Sequence, residues 1–314
     1  MNASSFRSLK SVFRRLPIVR GLVSERDRLH SELVSLKKNL GRIPPGHFYS
    51  PIPSLAEIQR DEAQIFGSVP RDIPGVELDE AKQLELLESF VPYYQELPFK
   101  PHKTAGLRYH FENGAYSYSD AILLYCMIRH LRPKRIIEIG SGFSSCVTLD
   151  TNELFFGGSI SITFVEPFPD RLLSLVKQED KGKIRVVPHR LQEIDIGEFE
   201  ALDENDILFV DSTHVSKINS DVNRIFFEVL PRIRSGVHIH FHDIIYPFEY
   251  PKEWVYDGRA WNEAYMLRTF LQYNREFRVV LMNTFMECYY ESFFREKMPL
   301  CLENPGGSIW IRKL

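Results

Sequence analysis

Long apolar runs are missing from this 314-residue sequence. None approaches the roughly 18 consecutive apolar residues that a membrane-crossing helix needs, so no spanning segment is expected. Residues 1–10 are polar and lack the apolar stretch of a secretory leader. A cytoplasmic location is the expectation. Cysteine is scarce: Cys126, Cys146, Cys288 and Cys301 stand far apart, and none forms a CxxC pair. That spacing argues against a zinc site and for reduced thiols. No internal repeat or low-complexity tract appears. A strong excess of charge of one sign is also absent. The net charge is −3, which gives no global reason to expect nucleic-acid binding.

The charge is unevenly spread. Residues 1–42 hold ten Lys/Arg and three acids, a net of +7, so the remainder carries −10. Within this basic arm, residues 24–40 read as a helix. Leu29, Leu33, Leu36 and Leu40, with Leu22 one heptad earlier, follow a coiled-coil rhythm, although Arg26 occupies one seam position. A solvated helical lead-in is the plain reading. A short dimerising helix, giving a homodimer, and weak peripheral contact with anionic lipid are the alternatives.

Residues 43–100 read as a connector. Pro44, Pro45, Pro51, Pro53, Pro70 and Pro74 break regular structure, and one helix is expected at 78–90. The aromatic stretch His47-Phe48-Tyr49 is expected to pack on the catalytic domain. From 101 to 314 short apolar strands alternate with helices. Strands are expected at 135–139, 161–165, 184–187, 206–210, 238–241, 278–282 and 308–312. Helices are expected at 119–131, from 144, and at 170–178, 223–233, 262–273 and 287–295. This alternation predicts an α/β fold with a mostly parallel sheet covered on both faces, plus an N-terminal helical extension.

The strongest local signal is Ile136-Ile137-Glu138-Ile139-Gly140-Ser141-Gly142-Phe143-Ser144-Ser145. An apolar strand runs into glycines and a helix starts at once. Gly140 permits the turn, and Gly142 lets a ligand approach the backbone. Ser144 or Ser145 is placed to cap the helix, whose free N–H groups favour an anionic group. The next strand ends Phe164-Val165-Glu166-Pro167, which places Glu166 to bind ribose hydroxyls. A dinucleotide would call for a third glycine where Ser145 stands. The fourth strand ends in Asp211, followed by Ser212, Thr213 and His214. The fifth gives His238, His240 and His242 on one face by period two, then Asp243. His238 and His240 lie deep and read as structural. Asp211, His214, His242 and Asp243 should converge at the open edge of the sheet.

The Glu-Ile-Gly-Ser-Gly turn resembles the first motif of class I S-adenosylmethionine-dependent methyltransferases. The resemblance covers about residues 120–314. It implies a Rossmann-like seven-stranded sheet with an antiparallel last strand. It further implies S-adenosylmethionine held by Glu138, Gly140, Ser141, Gly142, Ser144 and Glu166, with Tyr118 covering it and Glu193 near the adenine. Asp211 and Asp243 resemble the acids by which O-methyltransferases of this kind hold Mg²⁺, but His242-Asp243-Ile244 departs from the usual acid pair. An Asp/His set suits a softer divalent metal or a metal-free base, so the metal is left unassigned. His242 or His214 is the candidate base, oriented by Asp211 or Asp243. The expected reaction is O-methylation of a small hydroxylated acceptor, such as a glycan sugar. The aromatic stretch from Tyr246 to Trp261 would serve as its lid or pack on its own domain. An NAD(P)-dependent oxidoreductase and a non-catalytic S-adenosylmethionine-binding scaffold are the rival readings.

Overall fold

The computed structural model describes residues 17–40 and 42–314. Residues 1–16 of the basic arm, Gly41 and the side chains of Pro17, Ile18, Lys37, Asn39 and Leu40 lie outside the described part. The chain divides into two compact units, Met1–Gly67 and Ser68–Leu314. The boundary falls inside the proline-rich segment.

In the first unit, helix Pro17–Leu40 is longer than its periodicity implied. Its seam residues Leu22, Leu29, Leu33 and Leu36 are about half or more exposed. A second helix, Leu55–Phe66, begins where the Ser54 side chain accepts a hydrogen bond from the Glu57 N–H. No described helix is long and apolar enough to cross a membrane.

The second unit is built on one seven-stranded sheet in the order β3-β2-β1-β4-β5-β7-β6. The strands are β1 Arg135–Ile139, β2 Ser161–Val165, β3 Arg185–Val187, β4 Ile207–Val210, β5 His238–His242, β6 Phe277–Met282 and β7 Ser308–Lys313. β1 to β5 are parallel. β7 runs antiparallel between β5 and β6. The four- and five-residue apolar strands are buried along almost their whole length, as a sheet covered on both faces requires. Helix Tyr118–Leu131 is buried from Tyr118 through Ile128, and only its last turn reaches the surface.

Chain order reverses between β1 and β4, since β2 and β3 lie on one side of β1 and β4 on the other. In open α/β sheets ligands bind at the carboxyl edge of such a switch point. Two helical readings need correction. The stretch expected as one helix at 287–295 is two, Asn283–Tyr289 and Glu291–Lys297, with non-helical Tyr290 (ψ 33°) between them. The one expected at 223–233 contains a π-helical segment, Ile225–Val229.

Residues 68–100 belong to this unit. Helix Glu80–Gln95 docks on β6 through Gln83, which is fully buried. Its amide donates to the Leu78 carbonyl (2.5 Å) and accepts from the Met282 N–H (2.8 Å). Cys126, Cys146 and Cys301 are buried, Cys288 is exposed, and all four are free.

Candidate active site

The β1 turn is held from behind. Glu138 is fully buried, and its Oε1 accepts from the hydroxyls of Ser144 and Ser145, each at 2.7 Å. Burial outweighs those two bonds and pushes its carboxyl up to about 8. Glu138 is therefore protonated at neutral pH and shapes the loop from inside. Ser144 and Ser145 turn back onto Glu138, where the sequence suggested outward helix caps. Ser145 Oγ also accepts from the Gly142 N–H (3.0 Å).

Gly140 adopts φ +80°, and a Cβ there would lie 1.8 Å from the Asp211 carbonyl oxygen. β4 and the glycine turn touch, and Asp211 N–H donates to the Ile139 carbonyl (2.9 Å). Glu166 leaves β2 alongside. Its carboxylate accepts from the N–H groups of Ser141 (3.1 Å) and Phe168 (2.9 Å). Gly140, Glu166, Leu191, Gln192, Asp211 and Asp221 line a cleft of about 360 Å³, within the size range of small-molecule sites.

Of the eight expected cofactor residues, Gly140 and Glu166 line this cleft, Glu138, Ser141, Gly142 and Ser144 belong to the turn beside it, and the polar ends of Tyr118 and Glu193 are engaged by other side chains. Tyr118 stacks on Phe111 (4.7 Å, 7°) and donates its hydroxyl to Glu112 (2.5 Å). Glu193 is exposed and paired with Arg190 at 2.6 Å. Its neighbour Gln192 lines the cleft instead.

The four rim residues do come together. His214 Nε2 lies 3.4 Å from both Asp211 Oδ1 and Asp243 Oδ2, and His242 Nε2 lies 3.5 Å from Asp243 Oδ1. One ligand atom each from Asp211, His214 and Asp243 fall within 4.8 Å of one another. His214 (φ 57°) and Asp243 (φ 56°) both hold left-handed backbone, a conformation that costs free energy for such residues and is concentrated at functional sites.

A fifth residue, Glu263, completes the set. It is fully buried at the start of helix Glu263–Leu271, and its Oε2 is 2.9 Å from His214 Nδ1. The N–H groups of Asn262 and Glu263 both donate to the His214 carbonyl (3.1 and 3.2 Å), which fixes the loop as well as the ring. No periodicity or motif marked Glu263. An acid in the first turn of a helix is ordinary in sequence.

Burial opposes charge on His214, but Asp211, Glu263 and Asp243 overcome it and lift the imidazole to about 10. For His242, too, burial opposes the charge, and Asp211, Asp243 and Asp120 outweigh it and raise the group. Burial pushes Asp211 up, yet the imidazoles of His242 and His214 pull it below its usual range. Asp243 and Glu263 are raised, chiefly by burial. Free of metal, His214 is thus an imidazolium between carboxylates and lacks the lone pair a general base needs.

His240 is neutral by burial, stacked on Phe209 (4.1 Å) and set edge-on to Trp310 (4.8 Å). The aromatic stretch divides in two. Tyr246, Phe248 and Tyr250 are core. Trp254 and Trp261 are partly exposed, with Arg259 over both rings (4.6 and 5.1 Å) and Trp261 4.5 Å from His214.

Residues 137–244, from within β1 to just past β5, match a family described as a methyltransferase domain. An uncharacterized protein of Archaeoglobus fulgidus is 35% identical over 181 residues, which cover 54% of this chain and 79% of that protein. Among solved structures, an SAH-bound methyltransferase of Podospora anserina is 13% identical (83% of this chain, 96% of that one, TM-score 0.42). An O-methyltransferase of Streptomyces achromogenes involved in tomaymycin synthesis, in complex with SAM, is 13% identical (82% and 96%, TM-score 0.40). The chain belongs to one family with the archaeal protein, and its residues 137–244 match a methyltransferase domain on a Rossmann-like sheet.

Proposed function

We propose that this protein O-methylates a small hydroxylated acceptor, using S-adenosylmethionine in the β1–β2–β4 cleft and a divalent cation on Asp211, His214 and Asp243. The observation that carries this reading is the shared residue. Asp211 lines the cofactor cleft and belongs to the metal-competent set, so donor and acceptor sites meet there.

The donor set fits a cation. Asp211, Asp243, Glu263 and the buried Asp120 face two imidazoles raised toward charge, His214 and His242, while His240 is held neutral, and such an excess of acid calls for a proton or a metal. Glu263 takes Nδ1 of His214 and leaves Nε2 facing the two aspartates, the outer-shell arrangement that orients a ligating histidine. One imidazole with two carboxylates suits Mn²⁺ or a similar transition ion better than Mg²⁺.

Methyl transfer is an in-line displacement. The acceptor oxygen forms a bond to the methyl carbon as the carbon–sulfur bond breaks, and S-adenosylhomocysteine leaves. The acceptor must also lose its proton, which passes to solvent. A bound cation supplies acidification of that hydroxyl. The chain's own residues supply position, worth roughly 7–11 kcal/mol at best. Glu166 binds the ribose hydroxyls, the β1 turn holds the amino-acid end, and His242 orients Asp243. Trp261 and Trp254 offer ring faces suited to a sugar or a flat acceptor.

Calorimetry with S-adenosylhomocysteine, with NAD⁺ as a parallel ligand, tests the cofactor. Micromolar binding of the former alone is expected, and binding of NAD⁺ instead would overturn the assignment. Manganese titration of the Asp243→Asn variant tests the metal. The variant should lose tight Mn²⁺ binding while keeping S-adenosylhomocysteine, and unchanged Mn²⁺ affinity would leave the centre without a metal role.

A further inference from the structure

The opposite, amino-terminal end of the sheet holds a second cavity, of about 440 Å³. It lies at the foot of β5, where His238 is four residues from His242, about 13 Å along the strand. His238 pairs with Arg312 on β7, and Arg312 with Arg278 on β6. Residues directly opposite one another share a face, so one imidazole and two guanidiniums form a row across three strands. The facing wall includes Lys82, Glu85 and Ser89 of helix Glu80–Gln95, and His130.

Two buried polar atoms on residues lining this cavity lack partners. His238 is 5% exposed, and its Nδ1 has no hydrogen bond; neither has the buried Nε of Arg312. Buried polar atoms are almost always partnered, and these two belong to residues that line the cavity. Lys82 is paired with Asp79, and one Arg312 terminal nitrogen with Glu204 (3.1 Å). Arg278 has no ion pair among the described residues. Burial, with Arg312, His130 and Arg278 nearby, holds His238 neutral against a hydrogen bond to the Gly236 backbone.

We propose that this foot cavity binds a small oxyanion-bearing molecule, its carboxylate or phosphate held by Arg278, Arg312 and His238, apart from the methyl-transfer centre. Guanidinium forks match both oxyanions. Glu85 on the far wall favours a ligand whose other end carries hydroxyl or ammonium donors. The volume accommodates a molecule of metabolite size.

The test is histidine-ring NMR on the full chain, titrated with inorganic phosphate and, separately, acetate; the His238→Asn variant identifies the signal. A saturable shift of the His238 ring is expected with at least one anion, and the tighter one names the class. Arg278→Gln, at an exposed edge-strand position, should weaken binding roughly tenfold or more and leave S-adenosylhomocysteine affinity unchanged. No saturable shift with either anion, or equal affinity in the variant, overturns the proposal.

Discussion

No side chain fits at Gly140. An alanine there would put its Cβ against the Asp211 carbonyl at 1.8 Å, in a backbone conformation that already disfavours it. The turn would have to move away from β4. Gly140→Ala should therefore cost roughly 2–4 kcal/mol of stability and weaken S-adenosylhomocysteine binding by at least roughly tenfold. Urea unfolding and calorimetry check the two effects. Glu138 offers a pH test. Its folded carboxyl titrates near 8, above its usual 4.5, so the folded state holds the proton more tightly. The stabilisation is complete below about 4.5 and is lost as pH rises through 8. Glu138→Gln, which cannot ionise, should flatten the fall in stability across that window by up to a few kcal/mol. Identical pH profiles for the two proteins would mean that Glu138 is already ionised.

The elements differ in how far sequence reveals them. The strands were legible because apolar runs bounded by Gly, Pro and Asp admit few other readings. The β1 turn was legible because strand, glycines and helix are contiguous, so Glu138, Gly140 and Ser144 meet through local geometry. Asp211, His214, His242 and Asp243 were legible because parallel strands bring their carboxyl ends to one edge. Glu263 was not, since it meets His214 across 49 residues of sequence through a helix start that looks like any other. Tyr118 and Glu193 illustrate the converse. Neighbours in sequence, Glu112 and Arg190, engage their polar ends, and no residue pattern fixes which way such a side chain turns. The break at Tyr290 was hidden because no glycine or proline marks it. A buried side-chain amide links helix Glu80–Gln95 to β6. Gln83→Ala would orphan the Leu78 carbonyl and the Met282 N–H. A loss of roughly 2–4 kcal/mol is expected, measured by denaturant midpoint. A change under about 0.5 kcal/mol, the range of an inconsequential surface substitution, would mean that water or a shifted backbone replaces the amide.

At the scale of the whole second unit, one buried cation joins segments that are far apart in sequence. Arg108 is 5% exposed. Its guanidinium binds Asp150 (2.7 Å) and Glu153 (2.8 Å) on helix Phe143–Phe156, and Asp180 (2.6 Å) between β2 and β3. Asp150 also accepts from the backbone N–H groups of Arg108 and Tyr109 (2.9 and 2.8 Å). The Tyr109 hydroxyl in turn donates to the Tyr116 carbonyl, and the Tyr116 ring sits 5.1 Å from His242. The lead-in to the core helix, the β1–β2 crossover and one wall of the active centre are thus anchored through a single side chain. Replacing it leaves two largely buried carboxylates uncompensated, and such a break costs roughly 3–5 kcal/mol. For a unit of this size that is about a 10 °C fall in melting temperature. Arg108→Met should show that fall in calorimetric melts. Asp150→Asn and Asp180→Asn added to it should recover part of the loss, because the neutral amides no longer need the cation. If the triple variant melts no higher than Arg108→Met, the guanidinium acts by packing rather than by charge.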